Sequence, residues 1–302
     1  MEDDSPLDCL IIGAGPAGLT AGINLSRFFR NIRIIDAGYS RASLIPCTHN
    51  YPGFPEGING NALLEQLRKQ LRINGGQVHQ GEVLSLQRAD NGDFLAHTPT
   101  DVIRARTVLL ATGVVDVEPE LEGFQAVKEK ALIRYCPICD GFEFTNERIG
   151  VIARDEHGVH ESVFIKHFSA DLTMVDIDDG AFLDQRLTDR LSQENIGLVQ
   201  GCVDRIFADD RDFVHVRMQD GTEHVFDVLY CALGTRVRSA LSRELGARRN
   251  ADDYLIIDEH MQTGIEGLYA AGDMTNRLSQ ITVATGQAAI AATAIHNRLQ
   301  QR

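Results

Sequence analysis

The sequence lacks tryptophan and has few basic residues. None of the 302 residues is tryptophan, and aromatic residues make up only 6% of the chain. The 29 Lys and Arg residues are outnumbered by 43 Asp and Glu residues, so the formal net charge is −14. Nucleic-acid-binding proteins usually present basic surfaces and aromatic stacking platforms. We therefore expect neither a nucleic acid nor an anionic membrane surface as the partner.

Long apolar runs are also missing. No stretch of about 18 uncharged apolar residues occurs, so the sequence predicts no membrane-spanning helix. The chain starts with acidic residues and runs directly into an apolar, strand-like segment from Leu7 onwards. A secretory signal would have a basic start and a longer apolar block. We therefore predict a cytoplasmic protein.

Cysteine is scarce, and only two of the six cysteines are close in sequence. Six are too few for a disulfide scaffold in a chain of this length. Cys9 and Cys231 lie in apolar runs, which predicts buried, hydrophobic-like side chains. Cys136 and Cys139 are three positions apart, so they share one face of a helix and can close a disulfide. A cysteine at a helix start also has its thiolate favoured by the helix dipole.

A structural zinc site is the alternative for this pair. Zinc would require two further thiol or imidazole ligands at a spacing typical of metal sites. The sequence contains no second CxxC and no CxxH motif. We therefore predict a redox pair and no metal.

A strand–helix–strand pattern occurs twice, at residues 7–36 and 148–178. Each spans about 30 residues, which is the length of the unit that builds doubly wound sheets. The pattern predicts an α/β fold with two Rossmann-like dinucleotide-binding domains, the second inserted in the first. We place an FAD-binding domain at 1–115 and 236–302, and an inserted NADPH-like domain carrying the CxxC at 116–235.

The first turn, Gly13-Ala14-Gly15-Pro16-Ala17-Gly18, follows an apolar strand and opens a helix. The first glycine permits the tight turn, the second lets a pyrophosphate approach, and the third lets the helix pack closely on the strand. Asp36 ends the next strand, where a carboxylate can accept hydrogen bonds from ribose hydroxyls. This context predicts a dinucleotide site.

Two later segments indicate which dinucleotide binds. The segment LLATG ends in Thr112 and Gly113, and LYAAGD ends in Gly272 and Asp273. With the first turn, they resemble the three FAD segments of flavoproteins with two dinucleotide-binding domains. The resemblance implies that Asp273 binds the ribityl chain of FAD.

The CPICDG segment resembles the redox motif of the low-molecular-weight thioredoxin reductases, which carry this pair on the inserted domain. HNYPGFP resembles their ENWPGFP segment, and makes Asn50 a flavin neighbour. Gln280 and Ile281, at the start of the last helix, lie where that family contacts the flavin. The resemblance covers residues 7–298 and implies FAD, a homodimer, and a thioredoxin-like protein or small dithiol or disulfide as partner.

The same resemblance implies the roles of the redox residues. Cys139 would face the flavin, Cys136 would attack the substrate disulfide, and Asp140 would protonate the leaving thiolate. In the loop after the first unit, SRAS replaces the family's Gly-Gly-Gln-Leu, so that Arg41 takes roughly the place of the glutamine. The predicted site therefore comprises Cys136, Cys139 and Asp140 as catalytic residues, with cofactor-binding residues Gly13, Gly15, Pro16, Ala17, Gly18, Asp36, Arg41, Asn50, Thr112, Gly113, Gly272, Asp273, Gln280 and Ile281.

The second unit departs from this family. Its turn reads Ala153-Arg154-Asp155-Glu156-His157-Gly158, without the first two glycines, and Asp155 and Glu156 would face a pyrophosphate. The next strand ends in Asp176-Ile177-Asp178, where the family has a basic pair for the 2′-phosphate. We therefore predict that NADPH does not bind there in the usual mode.

Several functions remain open at this point. A ferredoxin-dependent thioredoxin reductase would need a basic surface, which Lys128, Lys130 and Arg134 could supply. A diflavin-linked disulfide oxidoreductase would hold a second FAD, with Asp176 on its ribose and Arg154 on its phosphate. An oxygen-dependent dithiol oxidase is the third option, and an inserted domain kept only for dimer packing and for positioning the pair is the fourth. A non-enzymatic flavin or thiol redox sensor is less favoured, because the sequence has no effector domain.

Overall fold

A computed structural model describes residues 5–178, 181 and 183–301. The acidic first four residues, which contribute to the cytoplasmic prediction, lie outside the described part. The strands are β1 (Cys9–Ile12), β2 (Ile32–Asp36), β3 (Val78–Gln80), β4 (Ser85–Arg88), β5 (Phe94–His97), β6 (Val102–Ala105), β7 (Val108–Leu110), β8 (Val114–Asp116), β9 (Ile133–Arg134), β10 (Ile149–Ala153), β11 (Leu172–Asp176), β12 (Gly197–Gln200), β13 (Val203–Ala208), β14 (Val214–Met218), β15 (Glu223–Phe226), β16 (Val228–Cys231), β17 (Thr235–Val237) and β18 (Leu268–Ala270). The α-helices are α1 (Pro16–Arg27), α2 (Gly60–Ile73), α3 (Phe124–Glu129), α4 (Pro137–Asp140), α5 (Glu156–Ile165), α6 (Gln185–Gln193), α7 (Ala240–Glu244) and α8 (Ile281–Gln300), and short 3₁₀ helices lie at Arg41–Leu44 and Gly141–Phe144.

The chain divides into two units, each with its own core. The first consists of Met1–Val115 and Arg236–Arg302, and the second consists of Asp116–Thr235. The boundaries fall within β8 and β17, which pair with each other.

The first unit is built on a parallel sheet with the strand order β18–β7–β1–β2–β3. All four residues of β1 are buried, as expected for a parallel strand covered on both faces. Successive side chains point to opposite faces, so Ile11 packs with Leu19 of α1 and Ala288 of α8 in one core. Leu10 belongs to the other core, with Phe94 of the antiparallel sheet β4–β5–β6.

The second unit repeats this plan with the strand order β12–β11–β10–β16–β9, again parallel. Val151 of β10 packs with Val159 of α5 and Leu187 of α6 on one face. Ile152 packs on the other face with Val216 of the antiparallel sheet β13–β14–β15. The prediction of an α/β fold with two Rossmann-like sheets is confirmed.

Among the described residues, no helix is both long enough and apolar enough to span a membrane.

The close contact between α5 and β10 gives a testable consequence for stability. A Cβ at Gly158 would overlap the Cβ of Ala153, which is fully buried. Gly158→Ala should lower the free energy of unfolding by about 1–3 kcal/mol, because the core cannot take the extra methyl group without shifting. Urea denaturation followed by circular dichroism measures this change.

Gly286→Ala is the matched control, because a Cβ at this exposed position in α8 meets nothing within 4 Å. Alanine should stabilise that helix by about 0.5–1 kcal/mol. Equal stabilities for the two variants would contradict the close packing of α5 on β10.

Candidate active site

The turn between β1 and α1 is packed so tightly that only glycine fits at its ends. Gly13 has a φ of +104°, and a Cβ there would overlap the carbonyl oxygen of Ala111, just after β7. A Cβ at Gly18 would overlap the carbonyl oxygen of Gly13 itself. The first and third glycines therefore bring the helix start, the turn and the end of β7 together.

The N-terminus of α1 fits a phosphate group. Gly15 is the N-cap residue and makes no side-chain capping bond, and Pro16 begins the helix. A Cβ at Gly15 would meet only the hydroxyl oxygen of Ser40, at 3.3 Å, so the space over the helix start is open. The N–H groups of a first helical turn have no partner within the helix and favour anions. Ala17, the next residue, contributes to this same turn.

Asp36 organises the turn from the end of β2. Its carboxylate accepts hydrogen bonds from the N–H of Ala14 at 2.8 Å and the N–H of Gly38 at 3.2 Å. A carboxylate has about four acceptor positions, so these two bonds leave capacity for a ribose hydroxyl. The position of Asp36 therefore fits the predicted ribose contact.

The other two FAD segments end beside the turn. β7 and β18 pair in parallel, so Thr112-Gly113 and Gly272-Asp273 follow neighbouring strand ends. Gly113 and Gly272 have φ values of +67° and +85°, which favour glycine. Arg41 lies 3.8 Å from the carboxylate of Asp273. The structure thus brings Arg41 to Asp273, the predicted partner of the ribityl chain.

The two predicted flavin neighbours from distant segments are in contact. The Asn50 side-chain amide donates to the Gln280 side-chain oxygen at 2.9 Å, although 230 residues separate them. Thr48 donates to the Asn50 side-chain oxygen at 2.8 Å and orients the amide. Gln280 is the N-cap residue of α8 and Ile281 is its first residue.

Sequence reasoning missed one residue that shapes this region. Gln287 of α8 accepts hydrogen bonds from the N–H of Gly272 at 2.8 Å and the hydroxyl of Thr275 at 2.9 Å. It therefore holds the Gly272-Asp273 turn against the last helix. The only sequence signal for this role was the position of Gln287 in the last helix, directly after Gly286.

The redox pair lies in the second unit, and Cys136 and Cys139 form a disulfide with a Cα–Cα distance of 5.3 Å. Cys136 is the N-cap residue of α4, and the N–H of Cys139 donates to its carbonyl oxygen at 2.8 Å. Both cysteines are half-buried. Two apolar side chains beside the pair are exposed, Ile138 by 48% and Phe142 by 80%. The pair is thus accessible, with an apolar rim.

The other cysteines differ from this pair. Burial raises the pKa of the Cys9 and Cys231 thiols to about 12, so both stay protonated near neutral pH. The predicted burial of these two is confirmed. Cys202 is exposed, and Cys47 lies 3.8 Å from the His49 ring nitrogen. Across the described ranges, no group of three or more His, Cys, Asp or Glu residues could hold a metal ion.

Asp140 has an environment built by three other residues. Tyr230 donates a hydrogen bond to one carboxylate oxygen at 2.7 Å, and Arg134 lies 3.7 Å from the other. Burial raises the pKa of Asp140 above its ordinary value, although Tyr230 and Arg134 oppose this change and Glu143 adds to it. A carboxyl group with a raised pKa keeps its proton closer to neutral pH, which suits a proton donor.

The turn of the second unit differs from the first at the phosphate position. In the first unit Ile12 pairs with Ile35, so Gly13 follows at the level of Asp36. In the second unit Ala153 pairs with Asp176, so Ala153 corresponds to Gly13. Two residues further on, Asp155 therefore takes the place that Gly15 has in the first turn. The Asp155 carboxylate caps α5 by accepting from the N–H of Gly158 at 3.2 Å. An acidic side chain therefore lies where a pyrophosphate would need free N–H groups.

Arg154 of this turn and the two acids at the end of β11 contact each other. Arg154 lies 3.7 Å from the carboxylate of Asp178, and the fully buried Asp176 accepts from the N–H of Asp178 at 3.1 Å. At the position where the sequence predicts the loss of a basic pair, the Asp178 carboxylate therefore lies beside Arg154.

The three basic residues proposed as a ferredoxin surface are also ion-paired. Lys128 lies 2.5 Å from Glu118, Lys130 lies 2.8 Å from Asp212, and Arg134 pairs with Asp140. Each of these positive charges therefore has a carboxylate beside it, which weakens the basic surface expected from the sequence.

Comparison with known proteins places the chain among disulfide oxidoreductases. The model of the family described as pyridine nucleotide-disulphide oxidoreductase matches residues 7–288. The thioredoxin reductase of Listeria innocua is 28% identical over 303 residues, covering 96% of this chain and 93% of that protein. The thioredoxin reductase of Bacillus subtilis is 26% identical and covers 100% and 97%. The crystal structure of thioredoxin reductase from Streptococcus pyogenes has a TM-score of 0.90 at 25% identity, covering 99% of this chain and 100% of that one.

The first turn gives a test of the predicted cofactor site. Gly13→Val should abolish FAD retention, because the side chain would overlap Ala111 at a positive φ. The ratio of FAD to polypeptide, read from the absorption spectrum of the purified protein, measures this loss.

Gly92→Val is the control, because Gly92 has a φ of +87° but only the Arg88 side chain near it, in the loop between β4 and β5. This variant carries the same backbone strain and should keep its FAD. Retention of FAD by Gly13→Val would remove this turn from the predicted site.

Proposed function

Because the chain belongs to the pyridine nucleotide-disulphide oxidoreductase family and is a thioredoxin-reductase-like, flavin-dependent disulfide oxidoreductase, we propose that it works without NADPH bound in the usual mode. In this proposal, electrons pass between FAD and an external dithiol or disulfide through Cys136 and Cys139. The observation that carries it is the Asp155 carboxylate at the N-terminus of α5, where a pyrophosphate would bind.

The cysteines perform the exchange with the external substrate. After the disulfide is opened, the Cys136 thiolate attacks a substrate disulfide, so that a mixed disulfide forms and the substrate S–S bond breaks. The leaving thiolate takes the proton of Asp140. Cys139 then attacks the Cys136 sulfur, releases the second substrate thiol, and closes the Cys136–Cys139 disulfide. Oxidation of a dithiol follows the same steps in reverse.

FAD, when bound, supplies the two-electron chemistry that opens or closes this disulfide. The residues proposed to hold it are those of the first unit, with α1 and Gly15 at the pyrophosphate, Asp36 at the ribose, and Asp273 with Arg41 at the ribityl chain. The half-buried position of the cysteines supports exchange with a partner, because one sulfur of a working pair must be reachable from outside.

A thioredoxin-like protein or a small dithiol is the proposed partner. The relatives named above are thioredoxin reductases, and the exposed Ile138 and Phe142 offer apolar contact beside the pair. The homodimer and the cytoplasmic location remain predictions from the sequence.

The oxygen-dependent dithiol oxidase is the second candidate. It is favoured by the same capped turn, in which the Asp155 side chain caps α5. If no pyridine nucleotide delivers electrons, a substrate dithiol can be their source, and an acceptor such as oxygen then removes them. Oxygen consumption that depends on an added dithiol would distinguish this candidate.

A second FAD and a ferredoxin donor have less support. Asp155 obstructs a second FAD in the same way that it obstructs NADPH, because both ligands carry a pyrophosphate. The three basic residues expected to dock a ferredoxin are each paired with a carboxylate.

The cysteine roles can be tested with a small dithiol. Anaerobic dithiothreitol should bleach the flavin absorption of the wild type. Cys136→Ser and Cys139→Ser should slow this reduction by at least about 1,000-fold, since each removes a nucleophile of the exchange. Stopped-flow absorption at the flavin band measures the rates.

Cys47→Ser and Cys202→Ser are the matched controls, because these cysteines lie outside the pair, and both variants should keep the wild-type rate. If a serine variant of the pair keeps that rate, the assigned roles are wrong.

The nucleotide prediction concerns Asp155. NADPH at micromolar concentration should leave the flavin oxidised over seconds in the anaerobic wild type, because the α5 N-terminus carries a carboxylate. Asp155→Gly should raise the affinity for NADPH, measured by fluorescence titration, since it frees the N–H of Gly158 and removes a negative charge.

Asp184→Gly is the control, because Asp184 caps α6 in the same way, accepting from the N–H of Leu187 at 2.9 Å. Asp155→Gly and Asp184→Gly both lose an N-cap, and only Asp155→Gly opens the turn before α5. Only Asp155→Gly should therefore raise the affinity for NADPH. Rapid flavin reduction of the wild type by micromolar NADPH would refute the proposed function in its present form.

A further inference from the structure

Tyr230 makes a buried contact with the proposed acid. Tyr230 is fully buried in β16, and its hydroxyl donates to Asp140 at 2.7 Å across 90 residues of sequence. The surrounding strand residues are apolar, so this hydroxyl is a polar group in an otherwise hydrophobic strand. A buried tyrosine hydroxyl usually has a partner, and here the partner is the carboxylate beside the redox pair.

Arg134 approaches the same carboxylate from β9. Its guanidinium lies 3.7 Å from Asp140 and stacks over the ring of Phe144 at 5.1 Å. Phe144 in turn meets Tyr230 edge to face, with ring centroids 6.3 Å apart. The Arg134 Nε is buried and has no hydrogen-bond partner among the described residues. The guanidinium is therefore held by charge and stacking, at the cost of one unsatisfied donor.

We propose that Tyr230 and Arg134 are positioning residues that set the proton affinity of Asp140. They stabilise the carboxylate that remains when Asp140 has given its proton to the leaving thiolate. The O–H bond of the carboxyl group breaks, the S–H bond of the released thiol forms, and the negative charge moves from sulfur to a carboxylate that has two stabilising neighbours. This inference rests on the proposed role of Asp140.

The charges around Asp140 support this assignment. Burial raises the pKa of the carboxyl group, whereas the Tyr230 hydrogen bond and the Arg134 charge lower it, and the exposed Glu143 raises it. The two stabilising residues bring the acid back toward a proton affinity at which it can both hold and release its proton.

Single substitutions should move the pKa of Asp140 in opposite directions. Tyr230→Phe keeps the ring packing and removes one hydrogen bond to the charged form, so the pKa should rise by about one unit. Arg134→Met removes the positive charge and should raise the Asp140 pKa by less. The guanidinium lies 3.7 Å from the carboxylate, which is longer than a hydrogen bond. Glu143→Gln removes an exposed negative charge and should lower it slightly.

The measurement is a pH titration of the γ-carboxyl ¹³C resonance in FAD-bound protein labelled at aspartate. Asp140→Asn identifies the resonance by its loss. Tyr135→Phe is the matched control, because the half-buried Tyr135 also donates to a carboxylate, that of Glu118, at 2.6 Å. It should leave the Asp140 titration unchanged.

A purely structural role predicts a different result. If Tyr230→Phe leaves the Asp140 pKa unchanged or moves it as Tyr135→Phe does, the proposal is overturned. Arg134→Met keeps the proposal testable if Tyr230→Phe does not fold, since an unchanged or lowered Asp140 pKa in that variant would also contradict it. The cysteine variants described above test the proposed function separately, because the carboxyl titration requires no turnover.

Discussion

The hydrogen bond from the N–H of Gly158 to the carboxylate of Asp155 is the contact on which the proposed function depends. The two strand–turn–helix units of this chain have equivalent strand orders, and β1 pairs with β2 in the same register as β10 pairs with β11. In the first unit, a glycine leaves the helix N-terminus open. In the second, an aspartate supplies the negative charge from within the chain, so the usual position of a dinucleotide phosphate is taken by a side chain.

This difference changes what the rest of the molecule can do. In the first unit, residues predicted to bind FAD lie together, including Asn50 with Gln280 and Arg41 with Asp273. The second unit carries the redox disulfide and the acid beside it, and we propose that it does not bind a 2′-phosphate in the usual mode. The family relationship shows that the chain is a disulfide oxidoreductase. The Asp155 cap on α5 is the basis for the proposal about its electron donor.

The strand–turn–helix units were predictable, because glycine turns after apolar strands leave a local signal in the sequence. The replacement of Gly15 by Asp155 in the second turn was visible for the same reason. What the sequence could not predict was how charges pair across long separations. Lys130 meets Asp212, 82 residues away, and Tyr230 meets Asp140, 90 residues away. In the sequence, Tyr230 looks like one more residue of a buried apolar strand, because its contact with Asp140 arises only in the folded chain.

Isothermal titration of NADPH into the FAD-bound protein tests the central claim most directly. The capped turn predicts no saturable binding at micromolar concentration, and no difference between NADPH and NADH, because no basic pair is present to distinguish the 2′-phosphate. Stoichiometric binding with a micromolar dissociation constant and a preference for NADPH would contradict it.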